Sequence, residues 1–358
     1  MKKRNTIIII AVLAVGLVAL IVALRGSRKA TFDQDYHISD ISTVTRLFLA
    51  DKQDHQVLLT RNEDSTWLVN EKYPANQSMV ELLLETLNTM RIRQQVNRNA
   101  IPNISKDIAA HGVTVEVYQR KPFINWFGGR LQLFPREKCT RTYYVGRETQ
   151  DMMASYMFRE GDKVPYIIHI PGFRGFLTPR FVAVPTKWRS HSIVDLNVHE
   201  IERVELQIPT MPEESFAIVR DGEGFAMEML TPHRRVDGFD TARVAQMLSA
   251  FTFLNFDEFA DIVPNSHADS CITGDPRTIL RITDTAGVTR EMKTYIKYTN
   301  PEDLVNMPDP EMYEAFDLNR LYAILDNSDT VLIQYFVFDN ILQPASYFLG
   351  HDKMLIAR

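Results

Sequence analysis

Apolar and polar residues alternate along much of this chain with the period of a strand that has one buried face. The alternation predicts strands over 44–49, 56–61 and 67–70, the last after the turn Asn62-Glu63-Asp64-Ser65. Pro74 and Asn76 then introduce 79–87, where apolar positions recur at helical spacing and Glu81 and Glu85 share another face, so a helix is expected there. The same order returns as strands over 201–206, 215–220 and 225–227 and a helix over 241–250, with the turn Asp221-Gly222-Glu223-Gly224. Val44 matches Ile201, Arg61 matches Arg220 and Trp67 matches Phe225, at offsets of 157, 159 and 158. After each helix a further strand pair is expected, 113–117 with 141–145 and 278–282 with 292–296. The pattern predicts two duplicated α+β domains of antiparallel sheet plus helix, over 31–195 and 196–358.

One segment breaks the alternation. Ile7 to Leu24 is eighteen residues without a polar side chain, preceded by Lys2-Lys3-Arg4. As a helix it would span about 27 Å, close to a hydrocarbon core and longer than the apolar region of a cleaved signal. The expectation is a cytoplasmic tail and transmembrane anchor over 1–30, followed by a periplasmic body, giving a single-pass protein of the bacterial inner membrane. Basic residues on the two flanks nearly balance, so charge alone does not orient the segment.

Composition narrows the classes further. Among 358 residues, 45% are hydrophobic and 24% charged, which excludes a disordered or multi-span chain. The net charge of −5 gives no support to a nucleic-acid partner. Split at residue 179, the first half carries +7 and the second −12, a polarity that bears on partners rather than on fold.

Between Gln119 and Cys139 the aromatics Phe123, Trp126, Phe127 and Phe134 flank Gly128-Gly129, with Arg120, Lys121, Arg130, Arg136, Lys138 and Arg141 around them. A hairpin with an aromatic, cationic tip is expected, and Phe123, Trp126, Phe127, Arg130 and Phe134 are its candidate residues for docking on a partner or a membrane. The second copy has no such insertion. Further on, Pro171-Gly172 and Gly175 shape a loop in which Arg174, Arg180 and Arg189 are candidates for holding an anion or for tying chain segments together.

Arg141-Thr142-Tyr143-Tyr144-Val145-Gly146 with Thr149, Asp151 and Tyr156-Met157, then Pro165, Ile170-Pro171-Gly172-Phe173, Arg180-Phe181 and Trp188-Arg189, resembles the bacterial envelope family known as domain of unknown function 4340. Where that family shows Gly-Thr before the Tyr, this chain has Ala154-Ser155. The resemblance implies a membrane-tethered periplasmic protein of unknown activity. Some relatives are associated with ABC transporters of the gliding-motility type, which implies an accessory role; no catalytic residues come with the family.

The residues themselves offer little chemistry. No two of the nine His stand at metal-ligand spacing, and the densest group, His267-Ala268-Asp269-Ser270-Cys271, reads as a polar loop. No nucleophile elbow or phosphate-binding loop occurs. Cys139 and Cys271 fall at comparable places in the two copies, where either free thiols or a bridge would fit an oxidising compartment. The expected function is therefore that of a non-enzymatic accessory or scaffold, without cofactor or metal, docking on a membrane complex such as an ABC-type transporter. The alternatives are a periplasmic module binding an anionic group and an unrecognised envelope hydrolase.

Overall fold

The computed structural model describes residues 36–126, 131–263, 267–299 and 316–350. Contacts divide the chain after Ser190 into two units. The division falls five residues before the expected boundary at 195.

In the first unit, β1 (Val44–Ala50), β2 (Gln56–Arg61), β3 (Trp67–Val69) and β4 (Tyr73–Pro74) form an antiparallel meander. Helix α1 (Gln77–Thr89) follows, capped by the Asn76 side chain, which accepts from the Met79 N–H at 3.2 Å. Val80, Leu83, Leu84 and Leu87, three or four residues apart, give α1 one buried stripe. Strand β5 (Arg91–Gln95) and helix α2 (Ile101–His111) come next, then β6 (Val113–Trp126), β7 (Leu131–Glu148), β8 (Ser155–Arg159) and β9 (Tyr166–His169). These nine strands lie in one sheet in the order β4-β3-β2-β1-β6-β7-β8-β9-β5. Leu47, Leu49, Leu59, Val115, Val117 and Tyr143 pack with the α1 stripe into one core.

In the second unit, β10 (Ser192–Val194) pairs with β15 (Leu254–Asn255). The main sheet consists of β11 (Ile201–Gln207), β12 (Phe216–Asp221), β13 (Gly224–Leu230), β14 (His233–Arg235), β16 (Glu258–Phe259), β17 (Thr278–Asp284), β18 (Thr289–Tyr298), β19 (Phe316–Leu325) and β20 (Asp329–Gln334). Its order, β14-β13-β12-β11-β17-β18-β19-β20-β16, is that of the first sheet strand for strand. Helix α3 (Thr241–Ser249) occupies the place of α1 in chain order and buries Val244, Met247 and Leu248.

Even irregularities recur. The β1–β6 register shifts between Val44 and Arg46, and the β11–β17 register shifts between Ile201 and Arg203. Arg61 Nη1 donates to the Ser42 carbonyl at 2.8 Å and the guanidinium lies over the Trp67 ring. Arg220 donates from Nε and Nη2 to the Ile201 carbonyl and lies 4.9 Å from the centre of the Phe225 ring. In both units an arginine at the end of the second strand thus holds the chain where the first strand begins.

The expected fold needs correction. The described chain is dominated by antiparallel sheet, with α1, α2 and α3 as its longest helices, and no helix among the described residues is long and apolar enough to cross a membrane. The transmembrane helix expected at Ile7–Leu24 lies outside the described residues. An apolar run states what a bilayer would accept, not that the backbone there is helical. Cys139 and Cys271 are free thiols, each half-buried in its own unit.

Candidate functional site

Strands β6 and β7 are longer than their neighbours in the sheet. Strand β1 accompanies β6 only as far as Gln119, and β8 accompanies β7 only from Tyr143 onward. Between these limits the two strands pair only with each other, through Arg120↔Glu137, Lys121↔Arg136 and Pro122↔Pro135 out to Trp126↔Leu131. The overhang from Arg120 to Trp126 is about 20 Å at strand rise. It makes a two-stranded ribbon with both outer edges unpaired among the described residues.

The base of the ribbon is fixed by a buried amide. Gln119 donates to the Asp40 carbonyl at 3.0 Å and to Thr43 Oγ1 at 2.7 Å, and accepts from Thr140 Oγ1 at 2.6 Å. Arg46 pairs with Glu137 at 2.8 Å, and Thr45 Oγ1 donates to the same carboxylate. The only acid on the ribbon is thereby neutralised from the sheet, leaving Arg120, Lys121, Arg136 and Lys138 to set its charge. Pro122 and Pro135 face each other and remove N–H donors from the ribbon, a device that limits unplanned strand pairing.

Of the five residues expected to dock, Phe134 is 67% exposed, has a left-handed backbone at φ 55°, and stands where the register skips a pair. Phe123 and Trp126 lie on β6; Phe127 and Arg130 fall at 127–130, outside the described residues.

The three arginines expected to hold an anion do not converge. Arg180 donates to Thr86 Oγ1 of α1 at 2.8 Å and stacks 4.6 Å from the centre of the Phe173 ring. Arg189 lies over Tyr73 at 3.8 Å, beside the Ala75↔Arg189 bridge that joins β4 to the end of the unit. Arg174 is exposed. Arg180 does line a groove, together with Arg91 and Leu82, which no sequence signal singled out.

His267 is an anchor, its Nε2 at 2.5 Å from the Tyr298 carbonyl and its ring edge-on to Tyr322. No group of three or more His, Cys, Asp or Glu able to hold a metal occurs among the described residues.

The signature residues serve the scaffold. Tyr143 donates its hydroxyl to the Tyr36 carbonyl at 2.6 Å, and Trp188 Nε1 donates to the Val182 carbonyl at 2.7 Å. Ser155 Oγ accepts from the N–H groups of Leu177 and Thr178, and Thr178 Oγ1 donates to the Gly146 carbonyl. The Ser of Ala154-Ser155 supplies that hydroxyl, and Ala154 fits with no exposure. The hydrogen bond from Thr149 holds the Asp151 carboxyl below the usual carboxylate range, with further help from the Met153 N–H and Arg93.

Two nine-stranded antiparallel units of identical strand order, one of them bearing a basic ribbon, define the class of this protein. The chain belongs to the family described as Domain of unknown function (DUF4340), whose model matches residues 39–271. That span takes in the whole first sheet and the second unit as far as Cys271. No curated protein and no solved structure matches the chain.

Proposed function

We propose that this protein is a non-enzymatic docking module of the bacterial envelope, and that the β6–β7 ribbon engages a membrane-protein complex such as an ABC-type transporter. The observation that carries this reading is a basic ribbon with both edges unpaired among the described residues and Phe134 held 67% exposed beyond the sheet. A large apolar side chain so exposed, on a ribbon rich in cations, suits a hydrophobic slot on a partner with acidic borders. The Gln119 anchor supports the same reading, because it pre-orders the ribbon base and lowers the ordering cost of association.

The test is affinity purification of the full-length chain from crosslinked cells, with co-purifying proteins identified by mass spectrometry. A stoichiometric membrane complex should be recovered with the native chain and lost with Phe134→Asp or with Trp126→Asp combined with Phe127→Asp. Recovery of the bait alone, or unchanged recovery with these variants, would reject the reading.

A further inference from the structure

Helix α1, the first residue of β5 and the turn after β9 enclose a groove of about 590 Å³, within the range of ligand-binding clefts. One wall is apolar and unusually open for such side chains, with Leu82 42% and Phe173 38% exposed beside Ile170 and Pro171. The turn Ile170-Pro171-Gly172-Phe173 is preformed. Phe173 N–H donates to the Ile170 carbonyl at 3.1 Å, and Gly172 at φ 83° takes the position of a type II turn that favours glycine after proline.

Two arginines line this space, and neither meets a carboxylate among the described residues. Arg180 is held by Thr86 and by stacking on Phe173, while Arg91 Nη1 donates to the carbonyls of Asn88 and Met90 at the end of α1. Both cations are positioned by neutral acceptors and retain further N–H donors. The groove also contains Glu85, so its lining carries a net charge of one positive unit, which suits a monoanion better than a phosphate dianion.

The sheet supplies the last element. Strand β5 begins at Arg91 and lies at the sheet edge, where it pairs with β9 on one side and with no strand on the other among the described residues. An extended chain can add to such an edge by main-chain hydrogen bonds. We propose that this groove captures the C-terminal carboxylate of an extended peptide whose last side chain is apolar. Arg180 and Arg91 receive the carboxylate, Leu82 and Phe173 receive the terminal side chain, and the free edge of β5 receives the peptide backbone. This site is separate from the ribbon, and its failure would leave the docking reading untouched.

The test is calorimetric titration of the purified full-length chain with four probes: an N-acetylated valyl-threonyl-leucine peptide as free acid, the same peptide as C-terminal amide, octanoate, and inorganic phosphate. The free acid should bind at least tenfold more tightly than the amide and than either small anion. Arg91→Gln and Leu82→Asp should each weaken it at least tenfold with the melting temperature retained. Arg180→Gln should do the same, and because it also removes the bond to Thr86, the first two variants carry the result if it unfolds. Equal binding of acid and amide, binding of octanoate or phosphate as tight as the peptide, or no heat at millimolar peptide would each overturn the assignment.

Discussion

Gly146 leaves no room for a side chain. A Cβ built there would come within 2.7 Å of Ile108 Cγ1 and 3.1 Å of the Tyr156 carbonyl oxygen, because α2 is pressed on β7 and β8 at that point. Gly146→Ala should destabilise the first unit by about 1–3 kcal/mol through overpacking, measured by denaturant unfolding. Ser155 is comparably committed. Ser155→Ala leaves the N–H groups of Leu177 and Thr178 without their acceptor, at a cost of about 1–3 kcal/mol per buried group left unpaired; an unchanged unfolding midpoint would refute that accounting. Residues of this kind were visible in the sequence as a signature but not as scaffold. An arginine has five donors and a long stem, so the sequence cannot say that Arg180 reaches Thr86, 94 positions away, while Arg174 stays in solvent.

At the level of elements, alternation made the early strands of each unit legible, and the matched Arg61 and Arg220 pointed to a shared design. The sheet order was not legible, since β5 joins the far edge beside β9 only through pairing distant in sequence. The ribbon was half legible. Its aromatic and basic content was evident, but its projection depends on where β1 and β8 stop. On the second sheet, charges are organised across strands: Arg203 and Arg281 both reach Glu205, and Arg281 and Lys293 both reach Glu291. Burial pushes the Glu291 carboxyl upward, but hydrogen bonds from Arg281 and Lys293 outweigh it, so its pKa lies below the ordinary glutamate value. A depressed folded-state pKa gives stability that is complete above the unfolded value and is lost as pH falls through the folded value. Glu291→Gln should therefore flatten the acid side of the second unit's stability curve, seen as a smaller loss of melting temperature between neutral pH and pH 3.

For the molecule as a whole, each unit has its own main core, one drawn from residues 36–188 and the other from 194–348. Gly146→Ala should accordingly accelerate amide hydrogen exchange in β6 to β8 and leave β11, β12 and β17 at native rates. The opposite charges of the halves were readable from composition and carry no information on fold. The apolar run at Ile7–Leu24 was read from hydropathy alone, and hydropathy does not report backbone conformation.

The shared strand order also marks where the ribbon can be removed. Gln119 stands opposite the start of β1 as Asp284 stands opposite the start of β11, but the second sheet then turns within a few residues, through Gly287 at φ 81°. Replacing residues 120–138 by the turn Thr285-Ala286-Gly287-Val288, so that Tyr118 faces Cys139 as Thr283 faces Thr289, would give the first sheet the short hairpin already in use in the second. Such a chimera is a domain graft written by the protein's own duplication of form, and it separates what the ribbon does from what the sheet needs in order to fold.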